Sequence, residues 1–313
     1  MRPGTVIRMD LRQLRALIAV ADRGSFSLAA RTLHTVQSNV SAHIARLESE
    51  LDVVLIDRAT TTLTEDGEVV AKRARRIESE LAALTSDLAS LRDEIRGKVR
   101  LGVIGSTARW FVPSFLDAMA ERYPDVELVI MDAPTSSLVP QLVSGRIDLA
   151  LVNTPIYEPE LLISPLFDED RVLVAPADHP LFDRESVRLK DLAEHELLLE
   201  ARGTPFRDEL DFDARRAGVR LRAKAEVDGI RLLASLAFSG FGAAVLPASA
   251  APGWVGGEWK RIPIEGLSMR SVGLARRRRG LPSAAERAVA DTARAVVEAN
   301  APDQPGIHPV AGS

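Results

Sequence analysis

The sequence contains no cysteine. That excludes disulfides, thiol nucleophiles and thiolate metal sites from these 313 residues. Histidine is scarce: the five are His34, His43, His179, His195 and His308, and no two stand three or four apart. No helix therefore carries a paired imidazole metal site. No run of about 18 apolar residues occurs, so no segment reads as a membrane-spanning helix. The opening stretch, MRPGTVIRMDLRQL, lacks an apolar core and a cleavage site. It does not read as an export signal, and a cytoplasmic location is expected. Patterned sequence begins at Asp10, which makes Met9 a candidate start.

Basic charge is not in excess: the net charge is −4. That average counts mildly against nucleic acid as a partner. The charge is unevenly spread, however. Residues 1–64 hold eight Arg against six Asp and Glu, a surplus of +2. What is present in quantity is ordinary globular material, 46% hydrophobic and 27% charged, so a chain of this length can bury two or three cores.

Leu11, Leu14, Leu17, Ile18 and Ala21 recur at helical spacing, and Asp22-Arg23-Gly24 ends that helix. Ser25 caps a second helix with Phe26, Ala29, Ala30 and Leu33 apolar. After Thr35-Val36, a third helix carries Val40, Ile44, Leu47 and Leu51 on one face. Three short helices joined this tightly, with alanines at the crossing, form a helix-turn-helix pattern. Residues 53–64 predict a short two-stranded wing. Between 65 and 96, Val70, Ala74, Ile77, Leu81, Leu84, Leu88, Leu91 and Ile95 alternate steps of four and three. This is the seam of a two-stranded coiled coil, and it predicts dimerisation; the alternative is an amphipathic helix lying on its own domain.

From Gly97 the pattern changes to alternating strands and helices. Strands are predicted at 99–104, 126–131, 147–152 and 171–175, with helices at 107–122 and 137–144 between them. A second set follows with strands at 197–200, 221–227 and 243–246, helices at 206–217 and 229–239, and a last strand at 271–275. This is the rhythm of parallel sheets. Ser283 and Glu286 form a capping box for a final helix. The Pro- and Gly-bearing tail, 301–313, is expected to be disordered. Trp254 and Trp259 flank Gly256-Gly257 as if packing a hairpin, and Arg276–Arg279 reads as a solvated basic turn.

The N-terminal residues resemble those of LysR-type transcriptional regulators. The match is carried by Asp10-Leu11-Arg12-Gln13-Leu14, Gly24-Ser25-Phe26, Ala29-Ala30, Leu33-His34, Gln37-Ser38, Val40-Ser41, Leu47-Glu48, Leu51, Asp57-Arg58 and Leu63-Thr64 with Gly67. Further on, Val99-Arg100-Leu101-Gly102, Arg122-Tyr123-Pro124, Gly145–Ala150 and Gly240-Phe241-Gly242 agree with it. The resemblance implies an α+β multidomain chain. A winged helix-turn-helix (1–64) is followed by a long dimerisation linker helix (65–96). A two-lobed α/β sensor domain like a periplasmic binding protein then occupies 97–300. Subdomain I would be 97–175 plus 271–300 and subdomain II 176–270, with crossings near Ala175–Asp178 and Gly266–Ser271. It also implies a homodimer or a tetramer built as a dimer of dimers, bound to double-stranded promoter DNA and responding to a metabolite. The sequence departs from many relatives in having Ala42 and His43 where arginines are frequent, and Ala45 is also neutral. Its wing, Ala59-Thr60-Thr61-Thr62, has no basic residue.

The expected DNA-binding residues are Gln37, Ser38, Asn39, Ser41, His43, Arg46 and Arg58. Gln and Asn can pair with adenine in the major groove, and the arginines suit phosphate. The expected effector-binding residues are Ser106, Thr107, Thr135, Asn153, Arg202 and Thr204. All follow predicted strand ends, where hydroxyls and free N–H groups gather; simple helix capping is the competing reading. Arg202 as the charge partner points to a small organic acid or another anion. No catalytic set, metal cluster or phosphate loop stands out, so neither an enzyme nor a cofactor is expected. The rival reading, a solute-binding protein of a transport system, accounts for 97–300 but leaves the first 96 residues unexplained.

Overall fold

The computed structural model describes residues 9–92 and 94–310. The chain forms two compact units. In the first, α1 (Leu11–Arg23) starts in a capping box: the Asp10 carboxylate accepts from the Gln13 N–H at 2.9 Å and the Gln13 side chain accepts from the Asp10 N–H at 2.9 Å. Gly24, at φ +61°, ends it in the left-handed region. Ser25 caps α2 (Phe26–Thr32), and α3 spans Gln37–Leu51. Leu17, Val20, Ala29, Val40, Ile44 and Leu47 are fully enclosed between the three helices. The wing is β1 (Ile56–Asp57) antiparallel to β2 (Thr62–Leu63). Glu48 holds its root by accepting from the N–H groups of Leu55 and Ile56. Gly67 sits where a side chain would strike the Leu55 carbonyl, so the next helix lies directly on the wing root.

That helix, α4, runs over Glu65–Ser90. Its seam divides. Ala71 and Ala74 are buried in the first unit's core, and Arg75 pairs with Asp22 at 2.6 Å. Ile77, Leu81, Leu84 and Leu88 are exposed. The helix stops short of the expected residue 96. The N–H groups of Arg92 and Glu94 both turn back to the Ala89 carbonyl, so Leu91 and Ile95 leave the seam. Ile95 instead packs on the core of the second unit.

The second unit contains two six-stranded sheets. In chain order its elements are β3 (Gly97–Val103), α5 (Gly105–Arg122), β4 (Val126–Asp132), α6 (Thr135–Ser144), β5 (Leu149–Thr154), β6 (Leu161–Glu169) and β7 (Arg171–Pro176). Then come β8 (Val187–Arg188), α7 (Leu189–Leu192), β9 (Glu196–Glu200), α8 (Pro205–Arg216), β10 (Arg222–Val227), α9 (Ile230–Phe238) and β11 (Ala244–Pro247). The remainder is β12 (Trp259–Glu265), β13 (Arg270–Arg277), α10 (Ala284–Asn300) and β14 (Ile307–Pro309). The first sheet has the order β14-β6-β13-β5-β3-β4 and the second β10-β9-β11-β7-β12-β8. Parallel strands β5, β3 and β4 bury Val99, Leu101 and Leu149–Val152 against Phe111, Phe115 and α10.

Several expectations need correction. The first crossing between sheets falls at Asp170, between β6 and β7, and not near 175–178. The strand β6, interrupted by Ser164-Pro165 and ending in Asp168-Glu169, carries no clean alternation, so β7 reads as its neighbour in sequence although it belongs to the second sheet. The second crossing lies at 266–269, between β12 and β13. The tail is ordered through residue 310. Ile307 is buried in the first core and β14 pairs antiparallel with β6, so an exposed sheet edge is covered; residues 311–313 lie outside the described residues. Trp259 opens β12 and packs on Phe238 with ring centroids 4.6 Å apart, while Trp254 is exposed, so the two do not pack a hairpin. Within 276–279, Arg277 donates to the Ile147 carbonyl at 2.7 Å and Arg278 to the carbonyls of Pro159 and Leu161. These arginines tie loops to the sheet.

Candidate functional site

On α3, the preceding Val36 offers no side-chain cap. Gln37, Ser38 and Asn39 are exposed in its first turn, directly before the fully buried Val40 and Ile44. A polar, uncapped helix start on a rigid helix trio is the geometry that enters a major groove. The Gln37 side-chain oxygen Oε1 accepts from the Ser27 hydroxyl at 3.0 Å, and the Asn39 side-chain amide donates to the Thr35 hydroxyl at 2.9 Å. Both side chains are thus held in place by neighbours. Ser27 was not among the expected residues; its place in the first turn of α2, beside the start of α3, is the available signal. Ser41 and His43 are half-buried and Arg46 is exposed. Arg58 donates to Ser41 at 3.2 Å and to Glu48 at 3.3 Å, and its guanidinium lies 5.3 Å from the Phe26 ring centre. It joins the wing to α3 and α2 as well as facing solvent.

In the second unit, the strand order places the C-terminal ends of β4, β3 and β5 side by side. Ser106 and Thr107 follow β3, Thr135 follows β4, and Asn153 lies near the end of β5. The Thr135 hydroxyl accepts from the Asn153 N–H at 3.1 Å. Ser106 is buried and accepts from the Arg270 guanidinium at 2.9 Å. Thr107 is fully buried, and its hydroxyl has no partner. The Asn153 side-chain oxygen is also buried and unpartnered.

Arg270 begins β13, at the second crossing. Its Nε donates to Glu169 at 2.8 Å, and Glu169 also accepts from the Ser249 N–H at 3.0 Å. The pair is almost wholly enclosed. Arg270 also lies 5.9 Å from the Phe206 ring centre, and Arg171 lies 5.6 Å from it. Phe206 belongs to the loop-to-helix junction after β9, the same segment as Thr204 and Glu200. Burial pushes the Glu200 carboxyl above its ordinary range; the Thr204 hydroxyl and Arg270 pull it down, and Asp228 adds to the rise. One oxygen of Glu200 is buried without a partner. Arg270 therefore ties Ser106 to Glu169, and its charge also acts on Glu200. Thr204 caps α8, accepting from the Arg207 N–H at 3.3 Å. Arg202 is exposed and donates to Glu226 at 3.1 Å, the carboxylate that Arg207 also reaches. Sequence reasoning missed Glu200, Arg270 and Glu169. The one signal for Glu200 is a charge closing the apolar run Leu197–Leu199.

Comparison with known proteins adds the following. The family model described as the bacterial regulatory helix-turn-helix protein of the lysR family matches residues 11–68, and the LysR substrate binding domain matches 92–298. A probable hydrogen peroxide-inducible genes activator of Streptomyces viridosporus is 36% identical over 244 residues, covering 77% of this chain and 78% of the relative. A cysteine-to-aspartate variant of full-length OxyR from Pseudomonas aeruginosa superposes with a TM-score of 0.76 at 24% identity, over 93% of this chain and 95% of that one. Full-length CbnR complexed with its target DNA gives a TM-score of 0.65 at 25% identity, over 94% and 100% of the two chains.

Proposed function

The chain belongs to the LysR family, as a sequence-specific DNA-binding transcriptional regulator that responds to a small-molecule effector, and from that premise we propose how its parts divide the work. The helix α3 enters the major groove, with Gln37 and Asn39 reading base edges and Ser38, Ser41 and His43 supporting them. Arg46 contacts phosphate. The exposed half of the α4 seam pairs with a second copy, and two such dimers make a tetramer on promoter DNA in the cytoplasm. The effector is held in the second unit by Ser106, Thr107, Thr135 and Asn153, with the Thr204 segment as the facing wall and Arg202 at its rim. Peroxide appears in the relative's name, but no thiol exists in these 313 residues to be oxidised. The signal is therefore taken up by reversible binding.

The observation that carries the DNA reading is the exposed, uncapped start of α3 standing on a fully buried anchor. DNase footprinting of the DNA upstream of the gene tests it, with an imperfect inverted repeat as the expected protected sequence. Gln37→Ala should cost about 1–3 kcal/mol and relax preference at one position of each half-site. Unchanged sequence preference in that variant would remove Gln37 from the reading surface. For the effector, Thr107→Val keeps the shape and should weaken binding by about 1 kcal/mol or more.

A further inference from the structure

Val36 stands directly before Gln37 and is 60% exposed. It does not serve the core, since Val40, Ile44 and Leu47 supply the buried face of α3. Nor does it serve the helix start. Asp10 and Ser25 cap α1 and α2 with their side chains, whereas Val36 holds the same position before α3 and has no side-chain hydrogen bond to give. Valine is among the poorest residues at a helix start, where Ser, Thr, Asp and Asn are favoured. Its place is nevertheless fixed. The Thr35 N–H donates to the Ala30 carbonyl at 2.9 Å, and the Val36 carbonyl accepts from the Asn39 N–H at 3.1 Å. At φ −96° and ψ 153° its backbone is extended, and a β-branched side chain has little rotational freedom there. A stiff, solvent-facing isopropyl group is therefore held beside Gln37 and one turn from Asn39.

In the major groove the edges of the bases are polar, except that thymine carries a C5-methyl group. A small apolar side chain at the edge of a reading helix has that methyl as its partner, and the contact takes both groups out of water. We propose that Val36 is a specificity residue of this regulator: its isopropyl group packs on the C5-methyl of a thymine in each half-site, next to the base that Gln37 reads. The inference rests on the reading of α3 given above. It accounts for a valine that neither packs the helix trio nor caps α3. Because the side chain is already stiff in the free protein, little of the contact's gain is lost in ordering it.

Duplexes that the full chain selects from a random-sequence pool supply the probe. Gel shifts then compare each recurrent thymine with deoxyuridine, which lacks only the methyl. One symmetric pair of thymines should respond. Removing one methyl should weaken binding roughly fourfold, and removing both about fifteenfold. Val36→Ala should bind the thymine and deoxyuridine duplexes alike. Val36→Ser separates recognition from folding and serves if the alanine variant does not fold. Serine caps a helix, so the unfolding midpoint should rise by a few degrees while the discrimination is lost. A purely structural role for Val36 would not move stability and recognition in opposite directions. Indifference to deoxyuridine at every thymine, or a response that survives in both variants, would overturn the methyl contact; if Gln37→Ala still relaxed sequence preference, the reading of α3 would stand without it. Wild-type preference in both Gln37→Ala and Val36→Ser would remove α3 from the groove, and the inference with it.

Discussion

At the scale of single residues, the second unit concentrates its charge where the chain passes between sheets. Glu169 and Arg270 face each other in register across β6 and β13, and both are buried. Two enclosed charges survive only while each has its partner, and removing one strands the other. Arg270→Met should therefore cost about 3–5 kcal/mol, and the double change with Glu169→Leu should recover part of it. Urea denaturation of the three variants checks this, and a double variant no better than the single would disprove the pairing argument. Glu200 gives a second prediction. Its carboxyl is raised in the folded state, chiefly by burial. Such a group contributes stability below its ordinary range, and that contribution is lost as pH rises through the raised value. Glu200→Gln should therefore stabilise the ligand-free chain at pH above that window and lose the advantage at acid pH. Melting curves across pH measure the difference, and a pH-independent effect would show that the carboxyl does not titrate abnormally.

At the scale of elements, period and position explain what the sequence made legible. The three short helices and the parallel strands announce themselves because each buries one face against a local neighbour. The antiparallel strands β6, β12 and β14 do not, since their partners lie far along the chain and a proline breaks the pattern of each. Losing β6 from view is what displaced the first crossing. Site residues show the same limit. The hydroxyls after β3 and β4 can be found from strand ends, but the Arg58–Ser41 and Arg270–Ser106 bonds join positions that no local pattern connects. The divided α4 seam yields a prediction. Ala74 is buried at home, whereas Leu84 is half exposed with apolar neighbours one turn away on either side. Leu84→Lys would place a charge against a partner helix and should cost several kcal/mol of assembly, about as much as burying an unpaired charge in a coiled-coil core. Light scattering should show a smaller particle; unchanged mass at the same concentration would assign the seam to another role.

At the scale of the whole molecule, the question is how a chain of net charge −4 holds DNA. The wing is neutral, and of the arginines in the first unit, Arg15 is paired with Glu78 and Arg58 with Glu48. The expectation from sequence treats Arg46 and Arg58 alike as phosphate contacts. Their surroundings differ. Arg46 is an exposed residue of α3. Arg58 braces the wing against α3 through Ser41 and Glu48 and covers the Phe26 ring. Each phosphate neutralised on a duplex contributes about 0.9 to the slope of log affinity against log salt. Arg46→Ala should therefore flatten that slope by about 2 for a dimer, weaken binding to every sequence alike and leave the unfolding midpoint unchanged. Arg58→Ala should lower the midpoint and blur sequence preference, because Ser41 and the wing lose their brace, with a smaller change in slope. Gel shifts over a salt series, paired with thermal melts, distinguish the two. Equal slopes lost by both variants, with no change in stability for Arg58→Ala, would return Arg58 to the phosphate backbone and leave the joint between wing and reading helix to Glu48 alone.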